Sequence, residues 1–206
     1  MSKRNAILAA ATRLFSRNGF KETSMAELSK ITGAAGGTIF HHFKNKEDLF
    51  LNILKDVQET VTSAFREETE KSRQDTGMER VEQAVISYLH LARIFEDQFL
   101  LLHRHYPYQM AETNPQCRSY LESVYNCLLD IFENCILAGI EDGTISIPPA
   151  VSSPRSAAMV IFAMVDGITR LHTYNIYHAG ALYNDVMQSC RSLLTTPQAV
   201  QETAHG

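Results

Sequence analysis

The side chains of this sequence that could do chemistry are two groups of histidines and one isolated aspartate. His103 and His105 flank Arg104, and His41 is followed directly by His42. Residues one or two positions apart on a helix point in different directions, so neither group can present two ligands to one metal ion. The sequence also has no HExxH, GxSxG or Walker-type loop. We therefore expect no enzymatic activity, no metal and no cofactor.

The isolated carboxylate lies in the most apolar stretch of the chain. Asp166 belongs to the segment 156–174, SAAMVIFAMVDGITRLHTY, which is apolar on nearly all sides of a helix. Such a helix has to be buried, and a charged side chain within it requires a hydrogen-bonding partner. Asp166 is interpreted either as a functional group or, more simply, as a carboxylate that is hydrogen-bonded at an interface.

In the amino-terminal part, two short helices joined at a glycine would position the candidate side chains. They are predicted from the stretch 24–46, SMAELSKITGAAGGTIFHHFKNK. Ser24 and Glu27 have the spacing of a capping box, so the first helix begins after Ser24, and Gly33 supplies the permissive backbone of a tight turn. Three apolar residues are predicted to lie along the inner side of this helix: Met25, Leu28 and Ile31.

The second helix of the pair begins near Ala35. Ile39 and Phe43 are four residues apart and give it an inward edge. The outer faces are left to Gly36, Thr38, Phe40, His41 and His42. Asn45 then has the position of an N-cap, so Lys46 lies in the first turn of the next helix, where exposed amides and a cation favour a phosphate. The whole unit has the form of a helix-turn-helix.

These residues resemble the DNA-binding domain of the TetR family of transcriptional regulators. The resemblance rests on LxxxxGxxxGTxxxHF at residues 28–43 and on KNKEDLF at residues 44–50. It implies an all-α protein, with a three-helix helix-turn-helix domain at residues 1–46 and a helical effector-binding and dimerisation domain at residues 47–206. Residues 46–75 would form the helix that connects the two domains.

Residues that contact DNA are implied by the family motif, and several positions depart from it. The implied set is Ser24, Gly36, Gly37, Thr38, Phe40, His41, His42 and Lys46. Gly36 occupies a position where many relatives have lysine or another polar residue, and Phe40 lacks the hydroxyl of the tyrosine that commonly contacts a phosphate there. Thr38 can bond a phosphate or touch a thymine methyl. His41 is interpreted either as a DNA contact or as a residue partly packed against the first helix.

Net charge also differs between the amino-terminal part of the chain and the rest. The first 50 residues hold eight Lys and Arg against four Asp and Glu, a net charge of +4. Because the whole chain has a net charge of −4, the remaining residues carry a net charge of −8. A basic module on an acidic body suits binding of a polyanion at one end, although ordinary variation of surface charge gives the same pattern.

Composition indicates a soluble, cytoplasmic protein. Hydrophobic residues make up 45% of the 206 residues, enough for a large core. The longest apolar run, 157–165, is far shorter than the roughly 20 residues that cross a bilayer, so no membrane partner is expected. The four cysteines form no CxxC pair and are interpreted as reduced thiols: Cys117, Cys127, Cys135 and Cys190.

Helical periodicity continues through the rest of the chain, and no pair of strands is predicted. The expected helices cover residues 4–18, 46–72, 78–95, 99–105, 115–142, 154–173 and 182–194. Gly77 is expected to end the long helix that starts at Lys46. Pro107 is expected to end the short helix at 99–105, and Asn114 followed by Pro115 marks the next start.

Aromatic and histidine residues are concentrated between Tyr88 and Tyr125. They either only pack, with their polar atoms satisfied at the surface, or line a cavity for an effector. The predicted effector-binding residues are His90, Phe99, His103, Tyr106, Tyr125 and Asn126. A small, largely apolar or aromatic molecule is the effector that such a cavity would accept.

The apolar segment around Asp166 is interpreted in two ways, as a core helix of one chain or as part of a four-helix interface with a second copy. The family resemblance favours the second interpretation. Seven interface residues are predicted on this helix and the next one: Ala158, Phe162, Val165, Gly167, Thr169, Val186 and Cys190.

The leading hypothesis is therefore a homodimeric, ligand-responsive transcriptional regulator. It would act as a repressor on double-stranded DNA, with two reading heads on a palindromic operator, and would be released by its small-molecule effector. The alternative is a helical ligand-binding protein or small enzyme in which the amino-terminal helix pair is only structural.

Overall fold

The chain folds as an assembly of helices. The computed structural model describes residues 2–34, 36–72, 75–176 and 179–195, and these ranges contain no strand. The helices are α1 (Lys3–Asn18), α2 (Met25–Thr32), α3 (Gly36–His42), α4 (Lys46–Lys71), α5 (Gly77–Ile94), α6 (Glu96–Leu102), α7 (His105–Thr113), α8 (Pro115–Asp142), α9 (Pro154–Thr173) and α10 (Tyr183–Leu194). The all-α prediction is confirmed. The end of the predicted second domain, 196–206, lies outside the described residues.

Helices α1 to α3 form the amino-terminal head, and its predicted caps are in place. The amide of Glu27 donates to the Ser24 hydroxyl at 3.0 Å, and the amide of Asp48 donates to the Asn45 side chain at 2.7 Å. Gly33 ends α2 in the left-handed conformation, with a φ of 61°, which a residue with a side chain rarely adopts. The turn between α2 and α3 therefore depends on this glycine.

The inner side of the helix pair agrees with the prediction except at one position. Leu28, Ile39 and Phe43 are buried. The prediction for Ile31 is wrong, because 56% of this residue is exposed. Met25 lies on one side of Leu28 and is half-buried, whereas Ile31 lies on the other side of Leu28 and turns away from the rest of the head.

Two predicted helix ends are wrong because tertiary context decided them. Gly77 begins α5 instead of ending α4; Thr76 caps this helix, and Glu79 completes a capping box. Pro107 lies in the first turn of α7, where the amide that proline lacks has no partner in any case. Helix α7 is consequently absent from the sequence-based prediction, and α6 runs from Glu96 to Leu102 and not over 99–105.

Helices α4 to α10 form the body, and α8 lies in its middle. Helix α8 packs against α4, α5, α7 and α9. By length and composition it is the one helix in the described part of the chain that could cross a membrane, but its contacts are those of a core helix. It approaches α5 closely, since a Cβ added to Gly77 would lie 1.9 Å from the backbone nitrogen of Gly139.

Buried side chains form one continuous core through the head and the body. Helix α4 contributes to both parts. Near the head, the ring of Phe50 lies 5.8 Å from that of Phe15, and in the body the ring of Phe65 lies 5.5 Å from that of Tyr88. Packing as well as the chain itself therefore joins the head to the body.

Candidate functional site

The candidate DNA-binding surface is the outer side of α3. Helix α3 packs on α1 and α2 through the buried Ile39. Its remaining residues face outward to different degrees, with Gly36, Gly37, Phe40 and His41 exposed and Thr38 and His42 half-buried. Phe40 is 54% exposed, a large apolar surface for one side chain. Ser24 is also exposed, at the start of α2.

Lys46 occupies the first turn of α4, as predicted, but its ammonium group turns toward the head. Its Nζ lies 4.4 Å from the centre of the Phe20 ring and donates to the carbonyl oxygen of Lys21 at 3.4 Å. Burial lowers the pKa of Lys46, and the charge of Glu22 acts in the opposite direction. Its role as a phosphate contact stays a prediction.

The two adjacent histidines do not form a metal site. The rings of His41 and His42 lie 5.3 Å apart in an edge-on contact. Over the described ranges, the chain has no cluster of three or more His, Cys, Asp or Glu that could hold a metal ion. The cysteines are free thiols, and burial raises the pKa of Cys117 and of Cys190 to about 11, so both stay protonated at neutral pH.

A polar cluster lies inside the body, around Asp166 of α9. The Tyr88 hydroxyl donates to Asp166 Oδ1 at 2.6 Å, and His103 Nε2 lies 3.0 Å from the same oxygen. Burial acts to raise the pKa of Asp166, but the hydrogen bond and charge of His103 and the hydrogen bond of Tyr88 outweigh it, so the pKa lies below its ordinary value. The carboxylate is therefore ionised in the folded protein.

The other ring nitrogen of His103 is a buried polar atom that lacks a partner. Only 3% of the His103 side chain is exposed, and its Nδ1 has no hydrogen-bond partner among the described residues. Buried polar atoms are normally paired, and an unpaired one costs free energy. A ligand or a water molecule with a matching group would satisfy this nitrogen.

Aromatic rings surround the Asp166 cluster. Phe162 makes edge-on contacts with Tyr88 and Tyr125, at 6.0 and 5.9 Å between ring centres, and Phe99 makes another with Tyr88 at 5.5 Å. The hydroxyl of Tyr125 is hydrogen-bonded to that of Tyr108. Burial, together with the nearby Tyr108, raises the pKa of Tyr125 well above its ordinary value, so this hydroxyl remains neutral.

A surface cleft of about 290 Å³ opens beside these tyrosines, between α7 and α8. It is lined by Tyr108, Ala111, Arg118, Leu121, Glu122, Tyr125 and Asn126. Tyr125 thus lies between the cleft and the ring of Phe162, which borders the Asp166 cluster. Three predicted effector residues, Phe99, His103 and Tyr125, come together in this part of the body, and Asn126 lies at the cleft's edge.

Two predicted effector residues lie elsewhere. His90 is exposed, because it is two positions beyond Tyr88 and so points to the opposite side of α5. Tyr106 faces the head, where its ring stacks on that of Phe20 at 3.8 Å. It follows His103 by three positions, but the chain turns a corner between α6 and α7, so the two side chains do not share a helix face. Tyr88, Tyr108 and Phe162 also lie in this part of the body and were not among the six predicted effector residues.

The residues predicted for the dimer interface do not share one exposed surface in the structure. Five of them are buried within the chain itself: Ala158, Val165, Thr169, Val186 and Cys190. Phe162 is half-buried against Tyr88 and Tyr125. Gly167 is exposed, and nothing lies within 4 Å of where its Cβ would be.

The outer side of α9 and α10 carries a different apolar surface. Met159 is 54% exposed and Val160 is 45% exposed, and Leu171 and Leu182 extend the same surface. An open groove of about 540 Å³ runs between the two helices and is lined by Met164, Gly167, Ile168, Leu171, Leu182, Asp185, Val186 and Ser189. The predicted interface residues lie mostly on the buried sides of α9 and α10, so this exposed surface was not predicted.

Comparison with known proteins identifies the head. The family described as bacterial regulatory proteins, tetR family, matches residues 7–53, which span most of α1 through the first part of α4. The head therefore has the sequence of a TetR-family DNA-binding region. The chain is a DNA-binding transcriptional regulator, and the prediction that it is not an enzyme is confirmed by its relatives, which are transcriptional regulators.

Three relatives define how far the TetR similarity extends. The fatty acid metabolism regulator protein of Bacillus subtilis is 24% identical over 184 residues, 88% of this chain and 90% of that protein. The regulator UidR of Escherichia coli K12 is 42% identical over 67 residues, which cover 32% of this chain and 34% of UidR. The structure of FadR from B. subtilis in complex with stearoyl-CoA has a TM-score of 0.70 at 22% identity, covering 93% and 99% of the two chains.

Proposed function

We propose that this TetR-family protein is a cytoplasmic homodimeric repressor that leaves a palindromic operator when a small, largely apolar or aromatic effector binds near the Asp166 cluster. Residues 1–46 would form the DNA-binding domain and residues 47–206 the effector-binding and dimerisation domain, with 46–75 connecting them. The observation that carries this proposal is the hydrogen-bonded Tyr88, His103 and Asp166 group, enclosed by aromatic rings beside a cleft.

The outer side of α3 supports the DNA-binding part of the proposal. Thr38 and His41 can donate hydrogen bonds to phosphates or bases, and the exposed ring of Phe40 can contact a sugar or a thymine methyl but not donate to a phosphate. Two such heads in a twofold-symmetric dimer would dock in successive major grooves about 34–36 Å apart. A palindromic operator follows from that symmetry.

The outer groove between α9 and α10 supports the homodimer. Gly167 leaves open space beside the exposed Met159 and Val160, so helices of a second copy can approach closely there. Contiguous apolar surface of this kind is typical of an interface. The contacts would come from the outer side of the two helices, and the five buried residues would support them from within.

Two classes of effector deserve a test. The aromatic enclosure and the unpaired His103 Nδ1 favour a compact apolar or aromatic molecule with one hydrogen-bonding group. The similarity to FadR, whose structure contains stearoyl-CoA, makes long-chain acyl-CoA thioesters the second class. A thermal-shift screen of both classes identifies ligands that bind the folded chain, because such ligands raise its melting temperature.

The decisive experiment is an operator titration with each stabilising compound. We expect the compound to weaken operator binding by roughly five-fold or more, and by linkage to bind less tightly to the DNA complex. His103→Ala and Tyr125→Phe should both reduce this response. Tyr125→Phe, which leaves the His103–Asp166 pair in place, should also leave operator affinity of the free protein intact. His90→Ala is the matched control, because that histidine is exposed on the other side of α5.

Two results would contradict the proposed effector site. Either every stabilising compound leaves operator affinity unchanged, or His90→Ala reduces the response as much as His103→Ala does.

A further inference from the structure

The end of α1 in the head is held by an arginine of the body. Arg104 Nε donates to the carbonyl oxygen of Ser16 at 2.7 Å, and its Nη2 donates to that of Arg17 at 2.5 Å. Carbonyl groups in the last turn of a helix have no partner within the helix and carry partial negative charge. The guanidinium fork therefore caps the end of α1 with two charge-assisted hydrogen bonds.

The amino-terminal end of helix α6 contacts the same turn of α1. Asp97 accepts hydrogen bonds from the Ser16 hydroxyl at 3.2 Å and from Arg17 Nε at 3.1 Å. The Arg17 side chain is 55% exposed, so its ion pair alone contributes little. Asp97 at the start of α6 and Arg104 just after its end therefore hold the last turn of α1 at two points.

Tyr106 extends this contact to the loop after α1. Its ring stacks on Phe20 with ring centres 3.8 Å apart and an angle of 7° between the planes, and it meets the ring of Phe50 edge-on at 5.0 Å. The ring of Phe20 in turn lies beneath the ammonium group of Lys46. Tyr106 is thus packed against the start of α4 as well as against the head.

The residue before Arg104 belongs to the interior of the body. His103 is the last residue of the α6 turn and is paired with Asp166 of α9. Its backbone is helical, whereas that of Arg104 is extended, with ψ of 154°, so the chain turns a corner between them. Because one planar peptide joins the two residues, a displacement of His103 has to move Arg104.

We infer that residues 103–106, the corner between α6 and α7, carry changes at the Asp166 cluster to the head, with Arg104 as the positioning residue. This inference rests on the proposed function and specifies how its effector site would be coupled to DNA binding. The corner contacts α9 with one residue and α1 with the next, so it offers a shorter connection than the length of α4.

Hydrogen exchange of the free protein tests the corner without DNA or effector. Arg104→Ala should speed exchange of the amides at residues 17–19 by roughly ten-fold, because the last turn of α1 then opens more often. Arg104→Lys, which keeps the charge but not the fork, should give a smaller increase. Arg155→Ala is the matched control: Arg155 also makes two charged contacts, to Asp130 at 2.6 Å and to Glu133 at 2.8 Å, but within the body.

A double-mutant cycle then tests transmission from the cluster. Asp166→Asn, on α9, should speed exchange at residues 17–19 by roughly three-fold or more, and should add nothing in the Arg104→Ala background. His103→Gln breaks the same pair and replaces Asp166→Asn if that variant does not fold. Tyr106→Leu should loosen residues 19–21, whereas Tyr106→Phe, which keeps the stacked ring, should not.

The inference is overturned if the cluster variant leaves exchange at α1 unchanged, or speeds it equally with and without Arg104. It is also overturned if Arg155→Ala has the effect expected of Arg104→Ala. Since neither operator nor effector enters these measurements, failure of the proposed function would appear in the operator titration and not here.

Discussion

Gly77→Ala should be among the most destabilising single substitutions in this protein, although it adds one methyl group. The new Cβ would lie 1.9 Å from the nitrogen and 2.1 Å from the Cα of Gly139, and 2.7 Å from the carbonyl carbon of Ala138. All three atoms belong to the backbone of α8, so no side chain can rotate away. Restoring an ordinary contact of 3.4 Å requires α5 and α8 to separate by about 1.5 Å.

The magnitude follows from what that separation breaks. The amide of Gly77 donates to Asp142 Oδ2 at 2.6 Å, and the amide of Met78 donates to the Thr144 hydroxyl at 3.2 Å. Overpacking costs about 1–3 kcal/mol, and each lost hydrogen bond costs about 1 kcal/mol more. We therefore expect a loss of about 3–5 kcal/mol in the free energy of unfolding. For a chain of this length that lowers the melting temperature by roughly 10 °C.

Urea unfolding followed by circular dichroism measures this loss, and two other glycines provide the comparison. Nothing lies within 4 Å of a Cβ added to Gly36, so Gly36→Ala should change stability by less than about 1 kcal/mol. A Cβ on Gly139 would lie 2.4 Å from Cδ1 and 2.5 Å from Cγ1 of Ile145, side-chain atoms that can shift more readily than a helix backbone, so Gly139→Ala should give an intermediate loss. A Gly77→Ala protein as stable as Gly36→Ala would refute the close backbone crossing.

Three further variants test other parts of the molecule. Lys46→Ala should weaken binding to operator and random DNA alike and lower the salt slope by about one unit in gel-shift titrations; a changed sequence preference would argue against a phosphate contact. Gly167→Leu should convert the proposed dimer to monomer in light scattering, because its side chain fills the open space on α9. The hydrogen bonds that Asp142 accepts from Thr144 and Gly77 lower its pKa, so their stabilisation is complete above the ordinary value of 3.8 and is lost as the pH falls below it. Unfolding of Asp142→Asn should accordingly depend less on pH in that acidic range.

Features set by a few neighbouring residues could be predicted from the sequence. Ser24, Asn45 and Asn114 all cap the helices that they were expected to cap. A cap requires one short polar side chain and a free amide two or three residues later, and both are visible in the sequence. The helix-turn-helix was predictable for the same reason, since Gly33 and the spacing of Leu28, Ile39 and Phe43 are local signals.

Features that depend on a distant partner could not be predicted. Gly77 looks like a helix end, and only the crossing with Gly139 reveals why no side chain fits there. The exposed side of α9 was not predicted. Because the helix is apolar nearly all round, periodicity cannot decide which side packs on α5 and α8 and which side stays exposed. Likewise, no spacing rule connects Tyr88 with Asp166, which lie 78 positions apart.

The continuous core changes how the boundary at Lys46 should be understood. Phe20 belongs to the head and Tyr106 to the body, yet their rings stack, and the core shows no gap between the two parts. A head that hung from α4 alone would be free to tilt whenever α4 moved. A head that is also capped by Arg104 has two attachments, and its orientation is set by the position of the α6–α7 corner relative to α4. A ligand that shifted either attachment by a fraction of an ångström would rotate the head about the other, which is how a small change inside the body can alter the spacing of two reading heads.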